Sequence, residues 1–200
     1  MRPVLARGFI LGCALWLSGC DFGDAPSQPD GGTLPDGGTP PDGGSPDSGQ
    51  SDFAREMINA HNQVRLGASP TPNPPLAPLQ WSASAALTAQ AWADRCDFKH
   101  NPDRGNLGEN IAAATPNRWT TAGVVQNWAS EAANYDHGTN ACAPGKVCGH
   151  YTQIVWRNTT QVGCATRECD KNSPFQGFTR WQFWVCNYAP PGNYSGQRPY

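Results

Sequence analysis

The chain has 200 residues, enough for one ordinary domain with appendages, and charged residues make up only 15% of it. Seven acidic and no basic residues lie between Asp21 and Asp52, whereas residues 53–200 contain twelve basic and nine acidic side chains. The dispersed basic residues form no stripe, which argues against nucleic-acid binding, and the composition excludes a coiled coil, a multi-span membrane protein and a fully disordered chain.

The first twenty residues are typical of an export signal. Arg2 and Arg7 precede an apolar run over residues 8–17, which is too short to span a bilayer but suits a signal peptide. The following Leu17-Ser18-Gly19-Cys20 resembles the lipobox of bacterial lipoproteins. That resemblance implies removal of residues 1–19 and a lipidated Cys20, which would attach the protein to the membrane of the bacterial cell envelope or surface, or precede its release. A plain secretory signal cut elsewhere is the alternative.

Residues 20–52 have the composition of a tether. The tripeptide Asp-Gly-Gly occurs three times between residues 30 and 44, each time after a proline. No apolar face offsets the entropy of ordering, so we predict a disordered, self-repelling and extended segment. The repeats lack the further spaced oxygen ligands of a calcium loop. The chain therefore divides into a signal (1–19), a tether (20–52) and a folded domain (53–200).

The domain contains an even number of cysteines once Cys13 leaves with the signal and Cys20 is assigned to lipid. They are Cys96, Cys142, Cys148, Cys164, Cys169 and Cys186. An exported chain meets an oxidising compartment, which favours three disulfides. The spacings between neighbouring cysteines are not those of zinc knuckles. Spacing alone leaves the connectivity open.

Helical patterns occupy the first part of the domain. Phe53, Met57, Ala60 and Val64 recur at helical spacing, and Gly67 provides a stop. A second helix is predicted over residues 83–96, capped by Ser82.

A third helix is predicted over residues 121–134. Its spacing places Glu131 on the same face as Val124 and Trp128. An acid in that position is either a residue at the helix rim or an inward carboxylate with a partner.

Strand patterns follow. Residues 151–156 fit either a short helix or a strand, whereas residues 162–165 and 183–188 are rich in aromatic and β-branched residues and predict strands. Residues 172–175 mark a loop. Helices followed by strands indicate an α+β fold with an antiparallel sheet.

Four motifs in order resemble those of the CAP superfamily, which includes cysteine-rich secretory proteins, antigen 5 and the plant pathogenesis-related class 1 proteins. They are His61-Asn62-Gln63-Val64-Arg65, Gly108-Glu109-Asn110-Ile111, the segment 149–156 (GHYTQIVW) and the segment 186–194 (CNYAPPGNY). The resemblance covers residues 53–200 and is strongest to the plant branch. It implies a three-layer α-β-α sandwich around a central antiparallel sheet. It also implies the pairings Cys96–Cys169, Cys142–Cys148 and Cys164–Cys186.

The resemblance further implies a cleft formed by two histidines and two glutamates. Matched motif by motif, they are His100, Glu109, Glu131 and His150. Three kinds of chemistry are open to this tetrad. His100 and His150 can ligate zinc or another divalent metal, with the glutamates orienting them. A His–Glu pair can act in acid–base catalysis, and neutralising pairs can simply hold the groove together.

We expect a binding protein rather than an enzyme, with no catalytic residue assigned. The sequence has no Gly-x-Ser-x-Gly elbow and no His-Glu-x-x-His pair. Ser130 and Thr152 are the only hydroxyl nucleophiles next to the tetrad, and both fit structural roles better. The ligand expected is an unidentified small molecule, lipid or peptide, and the protein is expected to be monomeric. A peptidase using the cleft, a surface effector or adhesin, and a sterol or lipid binder are the alternatives.

Several other residues are expected to serve structure. His61 should make structural hydrogen bonds, His137 should be solvated, and Trp181 can lie on the exposed face of its strand. Four tryptophans are expected in the core: Trp92, Trp128, Trp156 and Trp184. Residues 190–200 resemble a signalling peptide released from plant homologues, but we expect a proline- and glycine-rich tail packed on the domain.

Overall fold

A computed structural model of the chain describes residues 51–200. The predicted signal, the lipidation site at Cys20 and nearly all of the tether lie outside these residues. Within the described part, no helix is long and apolar enough to cross a membrane. The helices are α1 (Asp52–Leu66), α2 (Ala83–Ala93), α3 (Thr121–Ala129), a 3-10 helix (Ser130–Asn134) and α4 (Gly149–Ile154). The strands are β1 (Gln80–Trp81), β2 (Gly108–Ala114), β3 (Tyr135–Asp136), β4 (Ala141–Cys142), β5 (Gln161–Cys169) and β6 (Trp181–Ala189).

Four of the strands form one sheet in the order β1-β5-β6-β2. β5 pairs with β6, and β6 with β2, in antiparallel fashion, whereas the two-residue β1 runs parallel to β5. The fold is therefore α+β with a mostly antiparallel central sheet, as predicted. β3 and β4 form a separate small hairpin.

Successive strand residues point to opposite faces of the sheet, and both faces of this sheet are buried. On β6, Trp184 and Tyr188 belong to one core cluster, together with residues of α1, α3 and α4. Phe183 and Val185 belong to a second cluster, together with residues of α2. Helices thus cover both faces, which gives the three-layer arrangement.

The helix predicted to be capped by Ser82 begins there, and two further helices have side-chain caps that were not predicted. The side chains of Ser51, Ser82 and Thr120 each accept a hydrogen bond from the backbone N–H three residues ahead. Residues 151–156, which fitted either a helix or a strand, lie largely in α4.

Two helices end earlier than predicted. α2 stops at Ala93, and Cys96 has φ 54°, a left-handed conformation that a helix cannot contain. α3 ends at Ala129, and the chain continues as the tighter 3-10 helix. This change of helix type occurs directly before Glu131, one of the predicted cleft residues.

The expectation that Trp181 is exposed is wrong. Trp181 has no exposed surface, and its ring packs against Phe98 and Phe183. Its indole N–H donates to the Lys171 carbonyl oxygen at 2.7 Å. The alternation of β6 points Trp181 into the second core cluster, so no solvent face exists there. The four tryptophans predicted in the core are buried: Trp92, Trp128, Trp156 and Trp184.

The three disulfides form as the resemblance implied. Cys96–Cys169 ties the chain after α2 to the end of β5. Cys142–Cys148 joins the small hairpin to the residue before α4. Cys164 and Cys186 are directly opposite each other on β5 and β6 and are also bonded. Because disulfides persist in oxidising compartments, this domain is that of an exported protein.

The C-terminal residues 190–200 pack on the domain. The backbone N–H of Arg157 donates to the Pro199 carbonyl at 2.7 Å, and Arg198 donates to the carbonyls of His137 and Gly138. His137 stacks on Tyr200 with ring centroids 4.5 Å apart. The prediction that His137 is solvated is therefore wrong, because the tail covers it.

Candidate functional site

His100 and Glu109 form the first pair of the predicted cleft. His100 lies in the loop after α2, and Glu109 is the second residue of β2. Imidazole Nδ1 is 2.7 Å from Glu109 Oε1, which also accepts the backbone N–H of Asn101 at 2.9 Å. The Glu109 side chain is 1% exposed and that of His100 is 57% exposed. The carboxylate is thus a buried support for an imidazole that reaches solvent.

Glu131 and His150 form the second pair. Imidazole Nδ1 of His150 is 2.6 Å from Glu131 Oε1. The other carboxylate oxygen accepts the backbone N–H groups of His150 and Tyr151 at 2.9 and 3.2 Å. The His150 ring stacks on buried Trp128, with centroids 5.9 Å apart. Glu131 is therefore the partnered inward carboxylate rather than a residue at the helix rim.

Asn110 connects the two pairs. It follows Glu109 on β2, and its side-chain amide donates to the His150 backbone carbonyl at 3.1 Å. β2, which carries Glu109, is thereby bonded to α4, which carries His150. Within residues 51–200 the predicted tetrad forms two hydrogen-bonded His–Glu pairs, and Asn110 joins the elements that carry them.

A family model and curated relatives match the part of the chain that carries these pairs. The model of the cysteine-rich secretory protein family, CAP, matches residues 58–188. A pathogenesis-related protein of the PR-1 type from Sambucus nigra is 39% identical over 150 residues, covering 73% of this chain and 81% of that protein. The chain belongs to the CAP family.

Solved structures share this CAP fold. Venom allergen-like protein 4 of Schistosoma mansoni is 30% identical, with a TM-score of 0.60, and the match covers 76% of this chain and 95% of that one. NaASP2, solved with Zn²⁺, is 26% identical with a TM-score of 0.52, and the match covers 78% and 90% of the two chains.

Some relatives are much longer proteins. Human peptidase inhibitor 16 is 39% identical over 148 residues, which cover 73% of this chain but only 31% of the human protein. The chain thus spans about a third of that relative.

In both His–Glu pairs of this CAP domain, the imidazole is held through its Nδ1 atom. In each pair Nδ1 faces a glutamate, and Nε2 makes no hydrogen bond within residues 51–200. A histidine that donates Nδ1–H to a carboxylate presents the lone pair of Nε2, which is the usual arrangement of a metal-ligating imidazole. Glu109 Oε2 is buried and has no hydrogen-bond partner in the described part of the chain.

The tetrad does not form a compact cage of three or more ligands. Within residues 51–200, the only three candidate side chains with ligand atoms within 4.8 Å of one another are His61, Cys164 and Cys186. Those two sulfurs are joined as a disulfide, so they offer no thiolate.

The two hydroxyls beside the tetrad serve structure. Ser130 donates to the Asn127 carbonyl at 2.6 Å. Thr152 Oγ1 lies 3.1 Å from the Cys148 carbonyl and 2.8 Å from Asn193 Oδ1. Neither hydroxyl is hydrogen-bonded to His100 or His150, so neither is arranged as an activated nucleophile.

His61 is fully buried and has a structural role. Burial lowers its pKa to about 4, so the ring is neutral at pH 7. Nδ1 lies 2.7 Å from the Met57 carbonyl, and Nε2 lies 2.9 Å from the Tyr188 hydroxyl. Sequence reasoning missed Tyr188 and Asn110 as members of the site. Both lie inside quoted motifs, but nothing in the residue pattern indicates that their side chains meet.

Proposed function

We propose that this CAP domain binds a ligand in the His/Glu cleft, through a divalent metal ligated by His100 and His150, and releases it unchanged. One observation carries the proposal: both imidazoles are oriented by glutamates at Nδ1, and Nε2 of each has no hydrogen-bond partner within residues 51–200. When bound, the metal would supply a positive centre for an anionic or carbonyl group of the ligand.

The donor set fits a borderline divalent ion such as zinc, which accepts imidazole nitrogen and carboxylate oxygen. Two protein nitrogens are fewer than the three protein ligands usual at catalytic zinc, so weak binding is expected. The negative charge of the buried Glu109 carboxylate favours a nearby cation. NaASP2, the relative solved with Zn²⁺, gives independent support for a zinc-binding CAP domain.

Calorimetric titration of zinc into the full chain tests the proposal. The wild type should bind one ion, and the double variant His100→Ala/His150→Ala should bind none. His137→Ala is the matched control, because His137 lies against the C-terminal tail rather than in the cleft. Equal binding by the double variant would remove the proposal.

The proposal includes display on a lipid anchor. The basic residues, the short apolar run and Leu17-Ser18-Gly19-Cys20 support processing at Cys20, and the acidic residues that follow would hold the domain away from the membrane. Intact-mass measurement on the membrane fraction tests this. We expect a chain that begins at Cys20 with added acyl mass, and a Cys20→Ser variant that leaves the membrane fraction. An unmodified Cys20 would overturn the anchor but not the cleft function.

A further inference from the structure

A buried chain of hydrogen bonds runs from α1 to α4 beneath the cleft. It begins at the Met57 carbonyl, which lies 2.7 Å from His61 Nδ1. His61 Nε2 lies 2.9 Å from the Tyr188 hydroxyl, which is 3.0 Å from the side-chain nitrogen of Asn110. The same nitrogen donates to the His150 carbonyl at 3.1 Å.

Because His61 is neutral, only one assignment of protons satisfies this chain. The Met57 carbonyl can only accept, so His61 donates from Nδ1 and accepts at Nε2. The Tyr188 hydroxyl must then donate to His61, and its oxygen accepts from Asn110. The amide of Asn110 uses one hydrogen for Tyr188 and the other for the His150 carbonyl.

The chain is closed to solvent. His61 and Tyr188 have no exposed surface, and Asn110 is 1% exposed. Water cannot replace a lost partner there, and a buried polar group without a partner incurs its full desolvation penalty. The neutral state of His61 agrees with this assignment, and burial also raises the pKa of Tyr188 well above its usual value.

We propose that His61, Tyr188 and Asn110 form a positioning relay that sets where His150 lies relative to the His100–Glu109 pair. Asn110 follows Glu109 in the chain, and its side-chain amide donates to the backbone carbonyl of His150. The amide therefore connects β2, which carries Glu109, to α4, which carries His150. Tyr188 holds that amide in place, and His61 holds Tyr188. The effect on metal affinity rests on the function proposed above, whereas the positioning of His150 does not.

The variant Tyr188→Phe tests the relay by removing one hydroxyl while keeping the buried ring. Tyr135→Phe is the matched control, since the Tyr135 hydroxyl donates to Asn140 in the separate hairpin. In the metal-free full chain at one fixed pH, the imidazole ¹⁵N and ¹H resonances of His150 should move in Tyr188→Phe and stay unchanged in Tyr135→Phe. Exchange of the His150 backbone amide should also accelerate only in Tyr188→Phe.

Zinc titration gives the second readout. We expect Tyr188→Phe to bind zinc about tenfold more weakly than the wild type, at the lower end of the effect of removing an outer partner of a metal ligand, with Tyr135→Phe unchanged. Asn110→Ala, which removes the amide itself, should move the same His150 resonances and serves if Tyr188→Phe fails to fold.

The relay and the metal function can be overturned independently of each other. His150 resonances at their wild-type positions in folded Tyr188→Phe or Asn110→Ala protein would overturn the relay, whatever stability is lost. A wild type that binds no zinc would overturn the metal function alone, because the resonances are recorded without metal.

Discussion

Glu131 holds His150 at two points, binding the imidazole through one carboxylate oxygen and the backbone N–H through the other. One acidic side chain therefore fixes both the first turn of α4 and the direction of a cleft imidazole. The second oxygen also accepts the N–H of Tyr151.

Replacing Glu131 by Gln should weaken the site and the fold together. The amide nitrogen of Gln cannot accept, so one side of this double contact is lost, and the charge-assisted bond to the imidazole disappears. We expect a loss of about 1–3 kcal/mol in the free energy of unfolding, measured by urea denaturation. Glu168→Gln, on an exposed ion pair with Arg180, should change little. Equal stabilities of the two variants would contradict this account of Glu131.

Acid should destabilise the domain through His61. Its pKa is about 4 in the folded protein against 6.5 for an ordinary histidine, so between these values the unfolded chain binds a proton that the folded chain does not. Stability attributable to His61 is therefore constant above pH 6.5 and falls as the pH drops towards 4. The loss should reach roughly 3 kcal/mol at pH 4.

Urea denaturation between pH 4 and 7 measures this loss. The variant His61→Gln retains a donor and an acceptor but does not titrate, so its stability should decline less with acid than that of the wild type. Parallel curves for the wild type and His61→Gln would contradict the assignment.

Arg65, in the last turn of α1, should not tolerate replacement even by another cation. It is 3% exposed, and its guanidinium donates to the carbonyls of Ala77, Ile154 and Trp156. Lysine cannot reach these three oxygens with the same fork geometry. Arg65→Lys should lower the free energy of unfolding by about 3 kcal/mol, whereas Arg55→Lys at an exposed ion pair should be nearly neutral.

Gly163 should be intolerant of any side chain. A Cβ atom there would lie 2.2 Å from the Ala86 nitrogen and 2.3 Å from the Ser82 oxygen, both in the backbone where α2 crosses β5. Gly163→Ala should cost more than about 3 kcal/mol, because the backbone of α2 cannot yield. Gly177→Ala has open space but φ +82°, so it should cost only about 1–2 kcal/mol. Thermal unfolding of the two variants checks the ranking.

Local signals in the sequence predicted α1, α2, α3 and two long strands, because caps and periodicity act within a few residues, but they left residues 151–156 open between helix and strand. Ser82 accepts from the backbone as its predicted capping position requires. β2 was not predicted, since Gly108–Ala114 is mostly small residues and becomes a strand by pairing with β6 along its whole length. That pairing is a long-range property that no local pattern contains.

The sequence named the four residues of the candidate site but not the hydrogen bonds that connect them. The four cleft residues and the disulfide pairing came from resemblance to a family, because spacing leaves both open. The bridge through Asn110 and Tyr188 depends on which faces of β2 and β6 meet α4 and α1. Trp181 was misplaced for a related reason: a strand pattern does not reveal that a helix covers its second face.

The bond between Cys164 and Cys186 can close only when β5 and β6 are correctly aligned, since these residues are direct partners. A slip of one residue would set Cys164 opposite Val185 or Asn187 and would exchange the side chains delivered to the two cores. Once formed, the bond therefore locks β5 and β6 in the aligned register and keeps each set of side chains in its own core.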